Sequence, residues 1–418
     1  MNKIQQWLQR WLFPIASRLE KQKHLQAVKD GIIAIVPIII IGSFCLVPTG
    51  IANMVGGGLA QWVNDHNAVI TLPTYFTTNI MSVYAAIYIA NSLAKRYKIK
   101  NALIGASAVL VHLILAVSLS EDGTWIVSYL GAEGLFTAII SSIFVVEVMR
   151  LCEKHHLTIR MPQSVPPMVA DSFSILIPLA VDVVAATAVS VLCRDLGGAS
   201  FPQVIMNLLA PAISSMDSLP AVCIVVFLTQ LLWVFGLHGP AITSSVWAPF
   251  AIANATANAA AVAAGQTPEH IFTFSFYYGF LMVSGSGTTL GLVVLMMFSK
   301  AKSLKTVGRV GIIPSLFGIN EPIIFGVPLI MNPYMLLPFV LGPVVVAAIN
   351  YLAMYTGLVG LPLWESPGFL PPGFQAFLMT LDWKAAVMAV FNVVLMTVFY
   401  YPFFKMMEAD ELKKETAA

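Results

Sequence analysis

The stretch VCIVVFLTQLLWVFGLHGP, residues 222–240, decides the fold. From Val222 to Leu237 it holds no charged residue, as a helix lying in hydrocarbon requires. It then meets His238, Gly239 and Pro240, an imidazole followed by two residues poorly suited to continuing a helix. An apolar span that breaks at an ionisable side chain points to a membrane protein whose interruption has a use, because ionisable groups are costly at membrane depth.

The rest of the 418 residues supports the bilayer as solvent. The chain is 58% hydrophobic and 10% charged, with a mean hydropathy of +0.84, too apolar for a soluble domain to cover itself. Apolar stretches long enough to span run over 28–51, 72–94, 101–120, 131–150, 172–196, 219–236, 240–264, 272–299, 333–356 and 383–404. The fold class expected is therefore all-α integral membrane with about ten transmembrane helices. All but Arg194 and Lys384 of the 22 basic residues fall in loops on one side of that threading. The positive-inside rule then puts both termini in the cytoplasm and the turn Glu121–Asp122 outside.

Several classes are excluded. A net charge of +2 divided among short loops offers no stripe for nucleic acid. Cys45, Cys152, Cys193 and Cys223 lie singly in apolar stretches, without metal-ligand spacing, and read as packing residues. No Walker P-loop is present; SGSGTTLG, from Ser284, lacks the lysine and reads as close helix packing. No metal or other cofactor is implied. The start, 1–27, has no signal-peptide pattern; it suits an amphipathic leader on the membrane surface or a solvated lead into the first span.

The chain divides by texture. Residues 28–197 form regular spans and read as a scaffold, 198–218 as an amphipathic connector, 219–404 as a transport domain and 405–418 as a cytoplasmic tail. Beyond 198 the apolar stretches are interrupted by PAITSS, AIANATANAAA, SGSGTTLG and GIIPSLFGINEPIIFGVP. Unwound backbone at membrane depth must be buried in protein or line a wet cavity, so these interruptions mark the path. Phe235-Gly236-Leu237-His238-Gly239-Pro240 is echoed by Phe317-Gly318-Ile319-Asn320-Glu321-Pro322, and paired Gly/Pro breaks point to a binding site made of broken helices or re-entrant hairpins.

Five ionisable residues fall inside apolar context. Glu321 has no Lys or Arg within ten residues and reads either as a cap on a re-entrant turn or as a ligand for hydroxyl donors. His238 is either held by backbone or a ligand group. His112 and Asp182, in regular helices, suit packing or inter-helix hydrogen bonding. Glu147 suits an ion pair with Arg150 one turn on. Trp233, Trp247 and Trp364 are aromatic faces for sugar stacking or interface anchors.

On WVFGLHGP (233–240), MPQSVPPMVADSF (161–173), LFGINEPIIFGVP (316–328) and, more loosely, PLWESPGFLPPG (362–373) with LDWKAAV (381–387), the chain resembles the membrane-embedded C component (EIIC) of the bacterial sugar phosphotransferase system, in its lactose, cellobiose and diacetylchitobiose branch. The resemblance implies a homodimer in the bacterial cell membrane. Each subunit would have an N-terminal interface domain and a transport domain with two re-entrant hairpins, moving as an elevator. It also implies a β-linked disaccharide substrate, cellobiose above all, and a separate cytoplasmic B protein (EIIB) whose phosphocysteine phosphorylates the bound sugar. His238, Asn320 and Glu321 match the positions around the accepting hydroxyl, Glu321 and His238 as the catalytic pair and Trp233 as a sugar contact; Trp364 is counted with the substrate-binding residues. The chain's cysteines offer no phosphoryl carrier, so phosphate electrostatics are expected to come largely from the B protein. The alternatives are an H⁺- or Na⁺-coupled sugar transporter with Glu321 as proton carrier, and a sugar sensor without transport.

Overall fold

Runs without charge become helices because only an intrasegment ladder satisfies every peptide group in hydrocarbon. The computed structural model describes residues 18, 21–45, 48–49, 52, 57–120, 122–159, 161–162, 164–327, 332, 334–368 and 370–417. The leader 1–27 falls outside them apart from Arg18 and 21–27, as does Glu121 of the acidic turn. The chain forms two compact units, one of Glu20–Pro48 with Gly56–Ser214, the other of Ser215–Ala418 with Thr49–Val55 and Met1–Leu19.

The first unit is built on α1 (Lys23–Phe44), α2 (Met81–Tyr97), α3 (Ile104–Ala116), α4 (Leu135–Lys154), α5 (Leu176–Gly197) and α6 (Phe201–Met216). Gly31 lets α1 lie directly on α2: a Cβ there would stand 2.7 Å from the Ile89 backbone nitrogen. The Ser142 hydroxyl of α4 donates to the Ala86 carbonyl of α2 at 3.0 Å. His112 makes the inter-helix bond expected of it, 2.7 Å to Ser82, whose hydroxyl donates to the Leu130 carbonyl at 2.6 Å. Glu147 accepts from Arg150 as expected, and also from Tyr97 at 2.6 Å, with His24 at 2.7 Å. Asp182 is buried, yet its Oδ1 has no hydrogen-bond partner among the described residues, so the inter-helix bond expected there is not found. Between α3 and α4 a two-stranded antiparallel ribbon pairs Ser118 with Ile126 and Leu119 with Trp125.

The second unit contains α7 (Leu219–Val234), α8 (Gly239–Ala263), α9 (Leu290–Met297), α10 (Lys302–Leu316), α11 (Glu321–Gly326), α12 (Leu336–Tyr355), α13 (Phe374–Thr380) and α14 (Trp383–Ala417). Its core joins Trp233, Val293, Ile323, Phe339, Met396 and Phe404.

Among the described residues six helices are long and apolar enough to cross a membrane, or seven if α6 and α7 count as one broken span. Of the ten stretches read from sequence, 72–94 and 272–299 are divided, and those over 101–120 and 219–236 hold the shorter helices α3 and α7. Residues 272–299 are not one span: Phe274–Phe276 runs into a π turn, Tyr277–Leu281, and an irregular loop precedes α9. Conversely, PAITSS and AIANATANAAA are no breaks, since α8 is continuous through both. Pro240 sits in its first turn, where no N–H is lost. Thr243 and Thr256 return their hydroxyls to the carbonyls of Gly239 and Ile252.

The asparagines of α8 serve the irregular backbone beside it. Asn254 donates to the Phe272 carbonyl at 2.9 Å, and Asn258 donates at 2.7 Å to the carbonyls of both His270 and Pro362. The Asn258 side-chain oxygen accepts from the N–H groups of Glu269 and His270. Asp217 receives the N–H groups of Ile271 and Phe272, the latter at 2.6 Å. Of the stretch 405–418, read as a tail, residues 405–417 continue α14, where Glu408 accepts from Ser299 and the Lys300 N–H, and Glu415 from the N–H groups of Lys302 and Ser303. Asn258→Ala strands four backbone groups, at about 1–3 kcal/mol for each left unsatisfied. A clear fall in the melting temperature of the detergent-solubilised protein is expected, and an unchanged melting curve would contradict this account of the asparagine.

Candidate functional site

The echo between FGLHGP and FGINEP is one backbone geometry used twice. At the end of α7 the Leu237 N–H reaches back to the Leu232 carbonyl and the Gly236 N–H to the Trp233 carbonyl. At the end of α10 the Ile319 N–H reaches the Pro314 carbonyl and the Gly318 N–H the Ser315 carbonyl. Each turn places its glycine in the left-handed region, Gly236 at φ +75° and Gly318 at φ +77°, as such helix ends require. In each a new helix then starts with Pro in its first turn, so His238 is the N-cap of α8 and Asn320 the N-cap of α11. The repeat thus specifies two helix breaks that each present a polar cap.

A loop the sequence reading assigned to helix packing joins the two breaks. In SGSGTTLG, Ser284, Gly285, Gly287 and Thr288 all have positive φ, a path that Gly takes without steric cost and that the two hydroxyl residues take only with support. The Thr288 hydroxyl donates to the Leu281 carbonyl, the Ser284 hydroxyl receives the Leu290 N–H, and Tyr400 donates to the Gly287 carbonyl. From one break the Trp233 indole N–H donates to Ser286 Oγ at 3.0 Å; from the other the Asn320 amide donates to the Ser286 carbonyl at 2.5 Å and Thr289 Oγ1 at 2.7 Å. Ser286 was missed in the sequence. Its signal was a serine between two glycines inside an apolar stretch.

His238 and Glu321 face each other across this frame, His238 Nε2 lying 3.8 Å from Glu321 Oε1. The Ala241 N–H donates to His238 Nδ1 at 3.1 Å, which makes Nδ1 an acceptor and leaves the ring proton on Nε2, pointing at the carboxylate. At 3.8 Å the two are too far apart for a direct hydrogen bond, and one oxygen can reach both only from beside the pair, not between them. Both side chains are about half exposed, 47% and 46%. Glu321, which has no Lys or Arg close in sequence, opens the first turn of α11, where unpaired N–H groups favour negative charge. Trp233 packs against His238 with ring centroids 4.5 Å apart and planes tilted by 49°, and meets Phe325 edge-on at 6.1 Å, which restricts the imidazole.

Trp364 is placed differently from the other four. It is 1% exposed and its indole N–H donates to the Leu378 carbonyl. Among the described residues no hydrogen bond or ring contact joins it to Trp233, His238, Asn320 or Glu321. Beside it, Glu365, which the sequence reading passed over, is buried and accepts from the Phe274 N–H and the Ser275 hydroxyl. Trp247 is also buried, in a cluster with Tyr277 at 4.3 Å and Phe272 at 5.6 Å.

Two capped helix breaks bring a half-exposed acid and imidazole together, in a chain with six described helices long and apolar enough to cross a membrane, as suits a membrane permease. The comparisons narrow the class. A model of the phosphotransferase system EIIC family matches residues 29–343, so the chain belongs to that family, whose members are membrane parts of a system that phosphorylates sugars together with an EIIB component. The lichenan permease IIC component of Bacillus subtilis (strain 168) is 36% identical over 99% of this chain and 96% of its own length. The oligo-beta-mannoside-specific EIIC component of the same organism is 32% identical over 98% of this chain and 95% of its own. The crystal structure of ChbC, the IIC component from the N,N'-diacetylchitobiose-specific phosphotransferase system, superposes with a TM-score of 0.89 at 30% identity, covering 98% of this chain and 99% of that one. This is accordingly a sugar-permease component of the bacterial plasma membrane.

Asn320→Ala removes both tethers from the SGSGTTLG loop. Amide hydrogen exchange over 284–289 is expected to quicken while exchange in α12 stays as it was; unchanged exchange in the loop would show that Asn320 does not hold it.

Proposed function

We propose that this chain binds a β-linked disaccharide, cellobiose or a close relative, and presents its 6-hydroxyl for phosphorylation by a phosphorylated cytoplasmic EIIB protein. The observation that carries the reading is the 3.8 Å gap between His238 Nε2 and Glu321 Oε1, both half exposed. A sugar hydroxyl set beside the pair donates its proton to the carboxylate and accepts from the imidazole N–H, so its oxygen is oriented and made more nucleophilic. The oxygen attacks phosphorus in line, the phosphorus–sulfur bond of the EIIB phosphocysteine breaks as the new phosphorus–oxygen bond forms, and the thiolate leaves. The hydroxyl proton passes to Glu321, since the imidazole nitrogen facing it already carries a proton. Trp233 and Asn320 act as positioning residues in this scheme.

The relatives' named sugars, an oligo-β-mannoside and N,N'-diacetylchitobiose among them, favour a β-glycoside over a monosaccharide. The unit beginning at Ser215 carries the proposed site and moves as an elevator, the other unit serves as the interface of a homodimer, and both termini lie in the cytoplasm.

Membranes holding this protein and its EIIB partner are expected to convert external labelled cellobiose to internal cellobiose 6-phosphate, and to do so after the ion gradients are collapsed. Accumulation of unmodified sugar that ceases with the gradient would replace this reading with ion-coupled transport. Glu321→Gln is expected to weaken sugar binding by roughly tenfold, the loss of one charge-assisted hydrogen bond, and to abolish phosphorylation while the protein elutes as a folded species. Full phosphorylation by that variant would remove Glu321 from the mechanism.

A further inference from the structure

We infer that the α13–α14 hairpin binds one anionic phospholipid, an acyl chain lying between the two helices and the headgroup meeting Lys384. α13 turns into α14 through Leu381, which sits in the left-handed region at φ +51°. The chain entering α13 thereby comes back against the first turns of α14: a Cβ on Gly373 would stand 3.1 Å from the Ala386 carbonyl oxygen and 3.5 Å from Val390 Cγ2. Between the helices runs a groove of about 500 Å³. Gly373 and Ala386 form its floor, and the exposed side chains of Phe374 and Phe377 on one side and Val387 and Val390 on the other form its walls. No lining side chain is polar, so neither a sugar nor a peptide group finds a hydrogen-bond partner among them. Against lipid the groove gains nothing from exclusion of water; what fills it is dispersion, because wall atoms that face empty space forfeit contacts that a flexible acyl chain restores.

Helix geometry sets the depth and supplies the headgroup's partner. Trp383, Val387 and Val390 stand at i, i+4 and i+7 on one exposed face of α14. With the Trp383 ring at the membrane–water interface, where indoles anchor, Val387 and Val390 lie about 6–11 Å further in, at the depth of acyl chains. Lys384, three residues before Val387, borders the same face at the interfacial end. Of the 22 basic residues, the threading above leaves only Arg194 and Lys384 on the outer side. Arg194 donates to the Val117 carbonyl at 3.0 Å. Lys384 has no ion pair among the described residues, and the neighbouring carboxylate is engaged elsewhere: Asp382 accepts from the Gly360 N–H through Oδ2 and from the Lys384 N–H through Oδ1. An exposed ammonium at the mouth of an apolar groove matches a lipid that carries negative charge above its chains. The homodimer proposed above uses the other unit, which leaves this hairpin to lipid. The hairpin in turn holds the loop before it, since the Leu363 N–H and the Trp364 indole N–H donate to the carbonyls of Met379 and Leu378, so a lipid in the groove braces that loop from the membrane side.

The test photolabels the full-length protein, in neutral detergent, with phosphatidylglycerol carrying a diazirine in its acyl chain, and maps the labelled peptides by mass spectrometry. Label is expected within 372–390, and unlabelled phosphatidylglycerol is expected to displace it at roughly fivefold lower concentration than phosphatidylcholine of the same chains. Lys384→Gln is expected to remove that preference while labelling persists. Val390→Trp, a change at an exposed position whose ring fills the groove, is expected to abolish labelling of 372–390 while the protein elutes as a folded species. Absence of label from 372–390 in the unmutated protein, a preference that survives Lys384→Gln, or undiminished labelling of Val390→Trp overturns the inference. So does conversion of a dimer to monomers by Val390→Trp, because a second copy of the chain would then cover the groove.

Discussion

Backbone that leaves the helix within an apolar layer has no water to bond, so each freed N–H and C=O must find a side chain or another peptide. The second unit is organised around that requirement. Asn258 alone holds two carbonyls and two N–H groups, Asn254 holds another carbonyl, Asp217 holds N–H groups of Ile271 and Phe272, and Glu365 holds that of Phe274. Asn320 and Trp233 do the same for the loop at 284–289. These buried polar residues resemble ligand groups in a sequence, yet their bonding capacity is used in keeping irregular segments folded.

That use separates scaffold from site. Asn320 is 3% exposed and spends both amide hydrogens on the loop, whereas His238 and Glu321 are half exposed and meet only across a gap. The imidazole is fixed from behind, by the Ala241 N–H on Nδ1 and by the Trp233 ring, so its free nitrogen has one direction in which to donate. Preorganisation of this kind lowers the cost of orienting a hydroxyl, which is most of what a protein contributes to phosphoryl transfer. In the proposed reaction the loop of mixed Gly, Ser and Thr would support the chemistry through its bonds to Trp233 and Asn320.

The sequence made the helix breaks legible because Gly, Pro and a polar cap cannot be hidden in an apolar stretch. The repeat at 235–240 and 317–322 carries both halves of the pair. Polar density by itself misled: the Asn and Ser of 251–261 suggested an interruption, but a helix carries such residues without breaking when they bond its own carbonyls or a neighbouring strand of irregular chain. Span counting meets a limit in the opposite direction, since an apolar stretch such as 272–299 hides a π turn and a left-handed loop that hydropathy cannot see. Trp364 drew attention by its residue type, and only its burial and its bond to Leu378 show that the ring is built into the wall. Glu365, its neighbour, carried no signal beyond being a carboxylate in an apolar context.

The central claim is that His238 and Glu321 together hold one hydroxyl of the sugar. Calorimetric titration with cellobiose and with its analogue lacking the 6-hydroxyl of the phosphate-accepting ring, on the unmutated protein and on Glu321→Gln, measures that bond by difference. The account predicts that deleting the hydroxyl costs the unmutated protein about 1.5–3 kcal/mol of binding, as expected for a hydrogen bond to a charged group, and costs Glu321→Gln much less. Equal affinity of the unmutated protein for the two sugars would contradict it.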